Sequence, residues 1–261
     1  MFNMKQTLRS LLKGSLKYLD IEVTTQSYIQ SLVEYENDII SLLKLPKNDL
    51  VRVLELYDKS KSQLKQDLFV LSEVNFKKNG FFVEFGATNG IDFSNSYILE
   101  KEFNWNGILA EPAKCWHSSL RKNRSSHIET NCVWGNSDSV LTFKEVESPE
   151  LSTIKAYSSV DFFHNRRKRG RIYNINTISL TDLLDKYNAP KKVDYLSIDT
   201  EGSEYEILRN FDFSKYQFSV ITCEHNFTPM REKIYKLLLE KGYIRKYIGL
   251  SKFDDWYIKA K

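Results

Sequence analysis

Acidic residues sit at or beside the ends of four short apolar runs. They are Glu84 in Phe81-Phe82-Val83-Glu84-Phe85, Glu111 after Ile108-Leu109-Ala110, Asp199 after Val193–Ile198, and Glu224 after Phe218–Cys223. Such runs, bounded by turn signals, read as buried strands. Open α/β sheets bind ligands beyond the carboxyl ends of their strands. Four carboxylates in that position, in chain order, point to a ligand edge. Gly86 and Gly90 follow the first run, where glycine lets the backbone turn sharply and approach a ligand. The same G-x-x-x-G also suits a plain strand-to-helix turn, and it lacks the G-x-G-x-x-G of dinucleotide sites. Glu111 stands 21 positions after Gly90. A carboxylate about 20 residues beyond a glycine loop can accept ribose hydroxyls; alternatively Glu111 caps a helix after Pro112.

Two further segments carry chemistry. Asp199-Thr200-Glu201-Gly202-Ser203-Glu204 sets three carboxylates within six residues. Helix capping by Ser203 or Thr200 explains Glu204 and leaves Asp199 unexplained. Glu224-His225-Asn226 offers carboxylate, imidazole and amide at one strand end, although a lone His is more often structural.

These residues need a scaffold. Helical spacings over residues 95–103, 113–122, 179–187, 203–210 and 229–241 alternate with the apolar runs, which predicts an α/β, doubly wound, mostly parallel sheet. Residues 127–134 read as a third strand with 140–143 as a short hairpin partner. Residues 243–248 and 253–258 read as an antiparallel edge after Gly242. Before this region, Leu8, Leu11, Leu12 and Leu19 recur at helical spacing beside a basic stripe of Lys5, Arg9, Lys13 and Lys17. A second helix is expected over 25–43. After the break at Pro46, Asp49 can cap a third helix over 50–60. We expect a helical N-terminal extension over residues 1–61 and a catalytic domain over 62–261.

Composition narrows the class. The chain has 261 residues, 41% hydrophobic and 28% charged, which fits a folded globular protein and excludes a disordered one. Cys115, Cys132 and Cys223 match no zinc spacing, and an odd number suits no disulfide framework. No apolar run is long enough to span a membrane, and Lys5, Arg9 and Lys13 interrupt any signal-peptide core. A cytoplasmic location is the default expectation, and the basic N-terminal stripe would suit peripheral association with a membrane surface.

FVEFGATNG, GILAEP, YLSIDTEGSEYEIL and CEHN, in this order and spacing, resemble the FkbM-type S-adenosylmethionine-dependent methyltransferases. The lead-in Ser62–Leu68 is similar to that family's approach to its first strand, so the resemblance covers about residues 62–261. The family commonly has Asp where this chain has Glu84. The resemblance implies a class I (Rossmann-like) methyltransferase fold binding S-adenosylmethionine. Its methionine end would fall to Glu84, Gly86, Asn89 and Gly90, its ribose to Glu111, and its adenine to the region Gly135–Asp138, with Asp138 the candidate contact. It also implies O-methylation of a sugar or polyketide hydroxyl.

A hydroxyl is a poor nucleophile until its proton is removed or its oxygen polarised. Asp199, His225 and Glu201 are the candidate bases. Asp199, Glu224 and Asn226 would alternatively offer three oxygen ligands to a hard cation such as Mg²⁺. The run Arg166-Arg167-Lys168-Arg169-Gly170-Arg171 carries five positive charges; without it the net charge would be −1 instead of +4. It reads either as a solvated loop or as a clamp for an anionic acceptor, such as a nucleotide- or lipid-linked glycan. RNA has no aromatic-interleaved module to support it. A nicotinamide-dependent dehydrogenase and a non-catalytic glycan-binding protein are the competing classes. The missing middle glycine counts against the first, and the intact loop with Glu111 against the second.

Overall fold

The computed structural model describes residues 43, 47–159 and 161–260. The chain divides into two compact units, Met1–Lys47 and Asn48–Lys261. The helices expected over 1–43, with the Lys5–Lys17 stripe, lie outside the described residues except for Leu43, a turn residue. The third expected helix is α1 (Lys47–Leu56), which begins and ends earlier than read and continues into a 3₁₀ turn. Its Asp49 accepts a 2.8 Å hydrogen bond from Ser72 in α2 (Gln66–Glu73), and Val53 is fully buried. Residues 48–61 belong to the second compact unit, which begins just after Lys47, the first residue of α1.

The main sheet has seven strands: β1 (Phe81–Phe85), β2 (Asn106–Ala110), β3 (His127–Glu129), β8 (Lys192–Ile198), β9 (Gln217–Glu224), β10 (Tyr243–Lys246) and β11 (Asp254–Lys259). Their order is β10-β11-β9-β8-β1-β2-β3. The strands from β9 to β3 are parallel, and β11 runs antiparallel between β9 and β10. The fold is the class I methyltransferase α/β sheet with an antiparallel edge. The continuous apolar runs at β1, β8 and β9 are explained by burial on both faces. Val83, Phe85, Leu196, Ile198 and Ile221 share one core with residues of helices α5 (Leu180–Lys186), α6 (Glu204–Arg209) and α7 (Met230–Glu240). Helices α3 (Tyr97–Phe103) and α4 (His117–Asn123) follow β1 and β2.

The stretch 127–134 is two strands in two sheets. Glu129 Oε1 accepts from the N–H groups of Thr130 and Asn131, both at 2.9 Å, and folds the backbone out of the main sheet. β4 (Cys132–Trp134) then joins a second sheet of order β4-β7-β5-β6, with β5 (Val140–Val146), β6 (Thr153–Ile154) and β7 (Gly170–Ser179). The hairpin partners of 140–143 are therefore β6 and β7, both antiparallel to β5, and not residues 127–134. β7 went unrecognised because its basic start resembles a loop. In the sheet Arg171 lies opposite Glu145, while Ile175 and Ile178 are buried in two separate hydrophobic clusters. The Ser179 side chain then accepts from the Asp182 N–H and caps α5.

Candidate active site

A cavity of about 330 Å³ opens at the carboxyl ends of β1, β2, β8 and β9 and is walled on one side by the segment leading into β6. This is where a parallel sheet places its ligands. Six carboxylates line it, from Glu84, Glu111, Glu150, Asp199, Glu201 and Glu224, and Arg166 is its one cationic residue among those described.

Gly86 leaves β1 at φ +73°, and a Cβ there would stand 2.3 Å from the Asp199 carbonyl oxygen. Its N–H donates to Ala110 O at 3.0 Å. Glycine is required because three strands, β1, β2 and β8, converge there. Two residues on, the Thr88 N–H donates to Glu111 Oε2 at 2.8 Å, and the Ala113 N–H donates to Oε1 at 2.8 Å. Each Glu111 oxygen keeps a lone pair, and burial pushes its carboxyl up to about 7. This carboxylate can accept the two hydroxyls of a ribose.

The other expected cofactor contacts divide. Glu84 lines the cavity, yet its oxygens already accept from Asn95 N (2.6 Å), Ser94 Oγ (3.0 Å) and Ser96 Oγ. Burial raises its pKa, with the Arg124 guanidinium opposing. Asn89 Oδ1 accepts from the Ile91 and Asp92 N–H groups at 2.9 Å each, so it shapes the turn and is not among the cavity residues. Gly90, at φ +81°, packs against Arg124, where a Cβ would stand 2.5 Å from Cγ. Asp138 is exposed on the β4–β5 loop, outside the cavity, because the chain leaves the main sheet at Glu129. The surface beside Glu111 is instead apolar, formed by Cys132, Val133, Phe143 and Ile154.

At the acidic end Asp199, Glu201 and Glu224 come together, with Asn226 lining the same cavity. Ligand oxygens of Asp199, Glu201 and Glu224 all lie within 4.8 Å of one another. Asp199 and Glu224 share a hydrogen bond, and burial pushes the Asp199 carboxyl up to about 6. Burial, then repulsion from Asp199 and Glu201, holds Glu224 well above the usual range. Carboxylates this close share protons. Glu201, at φ +59°, accepts from Arg167 Nη2 at 2.5 Å and from Asn226 Nδ2 at 3.2 Å. Glu204 folds back to accept from Thr200 N, Thr200 Oγ1 and Gly202 N at 2.9–3.0 Å, and so fixes the turn; Ser203 forms no side-chain cap.

His225 lies outside the cavity. Its Nδ1 accepts from Phe227 N at 3.0 Å, and its Nε2 points to Asp255 Oδ1 at 3.9 Å, beneath β11. Asp255 is already paired with Arg231 and Arg245, and burial lowers the imidazole pKa. A neutral ring turned towards β11 cannot take a proton from a ligand in the cavity, so the expectation of a His225 base is withdrawn.

The basic run is also divided. Arg167 is fully buried and donates to Leu151 O (2.8 Å), Asp161 Oδ1 (2.6 Å) and Glu201 Oε2 (2.5 Å). Arg166 lines the cavity and pairs with Ser148 and Glu150, while Lys168, Arg169 and Arg171 are exposed. The sequence did not distinguish these five side chains. Nothing in the pattern separates a buried arginine from its solvated neighbours.

Asp199, Glu201 and Glu224 supply only hard oxygen donors at a spacing a divalent cation could bridge, and Asn226 turns its Nδ2 to Glu201 beside them. One Glu201 oxygen is already committed to Arg167 and Asn226, which leaves the other for a ligand. The residues present fit a hard cation on donor chemistry alone.

Residues 84–245 match the family model described as the methyltransferase FkbM domain. A search of curated proteins finds no match. Among solved structures the chain is similar to an FkbM methyltransferase from Methylobacillus flagellatus KT, at 13% identity and a TM-score of 0.45, covering 88% of this chain and 60% of that one. It is also similar to the METTL16 MTase domain, at 11% identity and 0.42, covering 75% and 66%. A third is a TehB-like SAM-dependent methyltransferase from Corynebacterium glutamicum, at 7% and 0.39, covering 82% and 97%. With more than half of its length matched by the family model, the chain belongs to the FkbM family of S-adenosylmethionine-dependent methyltransferases.

Proposed function

We propose that the protein is an O-methyltransferase acting on a hydroxyl of a sugar or glycan. The observation that carries this reading is the Asp199–Glu201–Glu224 cluster, facing the same cavity as Glu111. Bound S-adenosylmethionine would supply an electrophilic methyl group on a sulfonium, open to in-line attack by an oxygen. Glu111 holds the ribose, the Cys132–Ile154 surface takes the adenine, and the Gly86 turn with Glu84 borders the methionine end. Asn89 and Gly90 act through the shape of that turn.

Asp199 is the preferred base. It borders the cavity, and a carboxyl near 6 is ionised at neutral pH while still basic enough to accept a proton from an acceptor hydroxyl. Glu224 shares its proton, and Glu201 is held in place by Arg167 and Asn226. Positioning of the acceptor oxygen supplies much of the remaining acceleration. A cation at Asp199, Glu201 and Glu224, with Asn226 beside it, would instead polarise the acceptor oxygen. An anionic acceptor group is supported by Arg166 alone, against six lining carboxylates.

Labelled S-adenosylmethionine offered with a panel of sugars and glycolipid extracts tests the reading. Incorporation into sugar, lost by at least about 100-fold in Asp199→Asn, is expected for a general base. Incorporation only into RNA or protein would sink it. Activity that survives thorough chelation removes the metal version.

A further inference from the structure

Phe93 lines the cavity and remains 56% exposed, on a backbone at φ +61°. A bulky residue rarely adopts this left-handed conformation, because its Cβ crowds the following carbonyl. Strain of this kind persists only where the surroundings impose it, and it is common at ligand sites. Here the surroundings are visible. Ser62 forms a bridge to Phe93, the Ser94 N–H donates to Ile91 O at 3.2 Å, and the Asn95 N–H is held by Glu84 at 2.6 Å. The ring itself gains little in return. It is no part of the buried core, and it has no ring partner among the described residues. Phe163 and Phe253 border the same cavity, with Gln63 and Asn226 offering amides.

An aromatic face held open at a cavity mouth suits a ligand with an apolar face and a polar rim. A pyranose has both, with axial C–H groups on one face and hydroxyls around its edge. We propose that Phe93 is the stacking platform for the acceptor sugar ring, and that its strained backbone holds the ring clear of the core for that purpose. The proposal rests on the sugar reading given above.

Phe93→Gly, Phe93→Ala and Phe93→Trp test it. Glycine accepts the local φ without strain, so Phe93→Gly should melt no lower than Phe93→Ala. Each variant should bind S-adenosylhomocysteine as the wild type does. Methyl transfer to D-glucose, D-mannose, L-rhamnose and their methyl glycosides should show KM raised about tenfold in the Gly and Ala variants, a loss of about 1.4 kcal/mol. With kcat little changed, that pattern marks lost ground-state binding. Phe93→Trp should recover KM. Wild-type activity on a sugar with KM unchanged in Phe93→Ala overturns the platform and leaves the sugar reading intact. A wild type that binds S-adenosylhomocysteine but methylates no sugar overturns both.

Discussion

Replacing Arg167 with Met removes one guanidinium and leaves a side chain of similar reach. The loss is threefold: a bond to Leu151 O, one to Asp161 and one to Glu201, at 2.8, 2.6 and 2.5 Å. Both carboxylates are at least nine-tenths shielded from solvent on their side chains, and Arg167 is fully so. Breaking a buried pair by removing one partner costs about 3–5 kcal/mol. Protonation of Glu201, whose pKa burial already raises, relieves part of this and points to the lower figure. At about 2–4 °C per kcal/mol for a domain of this size, Tm should fall by roughly 6–12 °C. Thermal and urea unfolding at pH 7 without cofactor measure it. Adding Glu201→Gln removes the stranded charge, so the double variant should be more stable than the sum of the single effects by about 0.5–3 kcal/mol. A loss below about 1 kcal/mol in Arg167→Met, or strict additivity, would refute the claim that this arginine clamps the cavity wall to Glu201.

Glu111→Ala should weaken S-adenosylhomocysteine binding about 10- to 100-fold by calorimetry, the worth of one or two hydrogen bonds to a charged group; unchanged affinity would remove Glu111 from the ribose site. Two further buried carboxyls have raised pKa values, Asp67 on α2 to about 7 and Asp254 at the start of β11 to about 8, both chiefly through desolvation. A raised folded pKa means that the native state binds more protons than the unfolded one. Stability is then fully present below about pH 4 for these groups and is lost as pH rises through 7 and 8. Asp254→Asn, which keeps a neutral polar group beside Gln66, should therefore flatten the fall in Tm between about pH 5 and pH 8. An unaltered pH slope in that variant would contradict it.

The parallel sheet was legible because strands buried on both faces must be continuously apolar, and those at β1, β8 and β9 stand out from helical spacing. The antiparallel edge was legible because Gly242 and the short gap before β11 leave no room for a crossover. Glu111 was found from its distance to the glycine loop, since the β-α-β geometry that sets this distance is local. Asp199, Glu201 and Glu224 were found because the ends of adjacent parallel strands must lie side by side. Their mutual repulsion and shared protons follow from burial, which spacing does not report.

The second sheet was misread for the same reason. Whether residues 127–134 continue as one strand depends on a single side chain, Glu129, turning its carboxylate onto the next two N–H groups. His225 illustrates the limit most directly. By sequence it follows Glu224 at the ligand edge, but the chain turns there and the ring rotates towards Asp255. Arg166 and Arg167 are neighbours of identical type, one facing the cavity and the other enclosed between Asp161 and Glu201. Sequence alone determined the sheet, the ligand edge and the family, because backbone periodicity and short-range turn chemistry fix them. Only the tertiary structure decided which charged side chains face the cavity and which are buried as braces, because that depends on partners brought from distant segments of the chain.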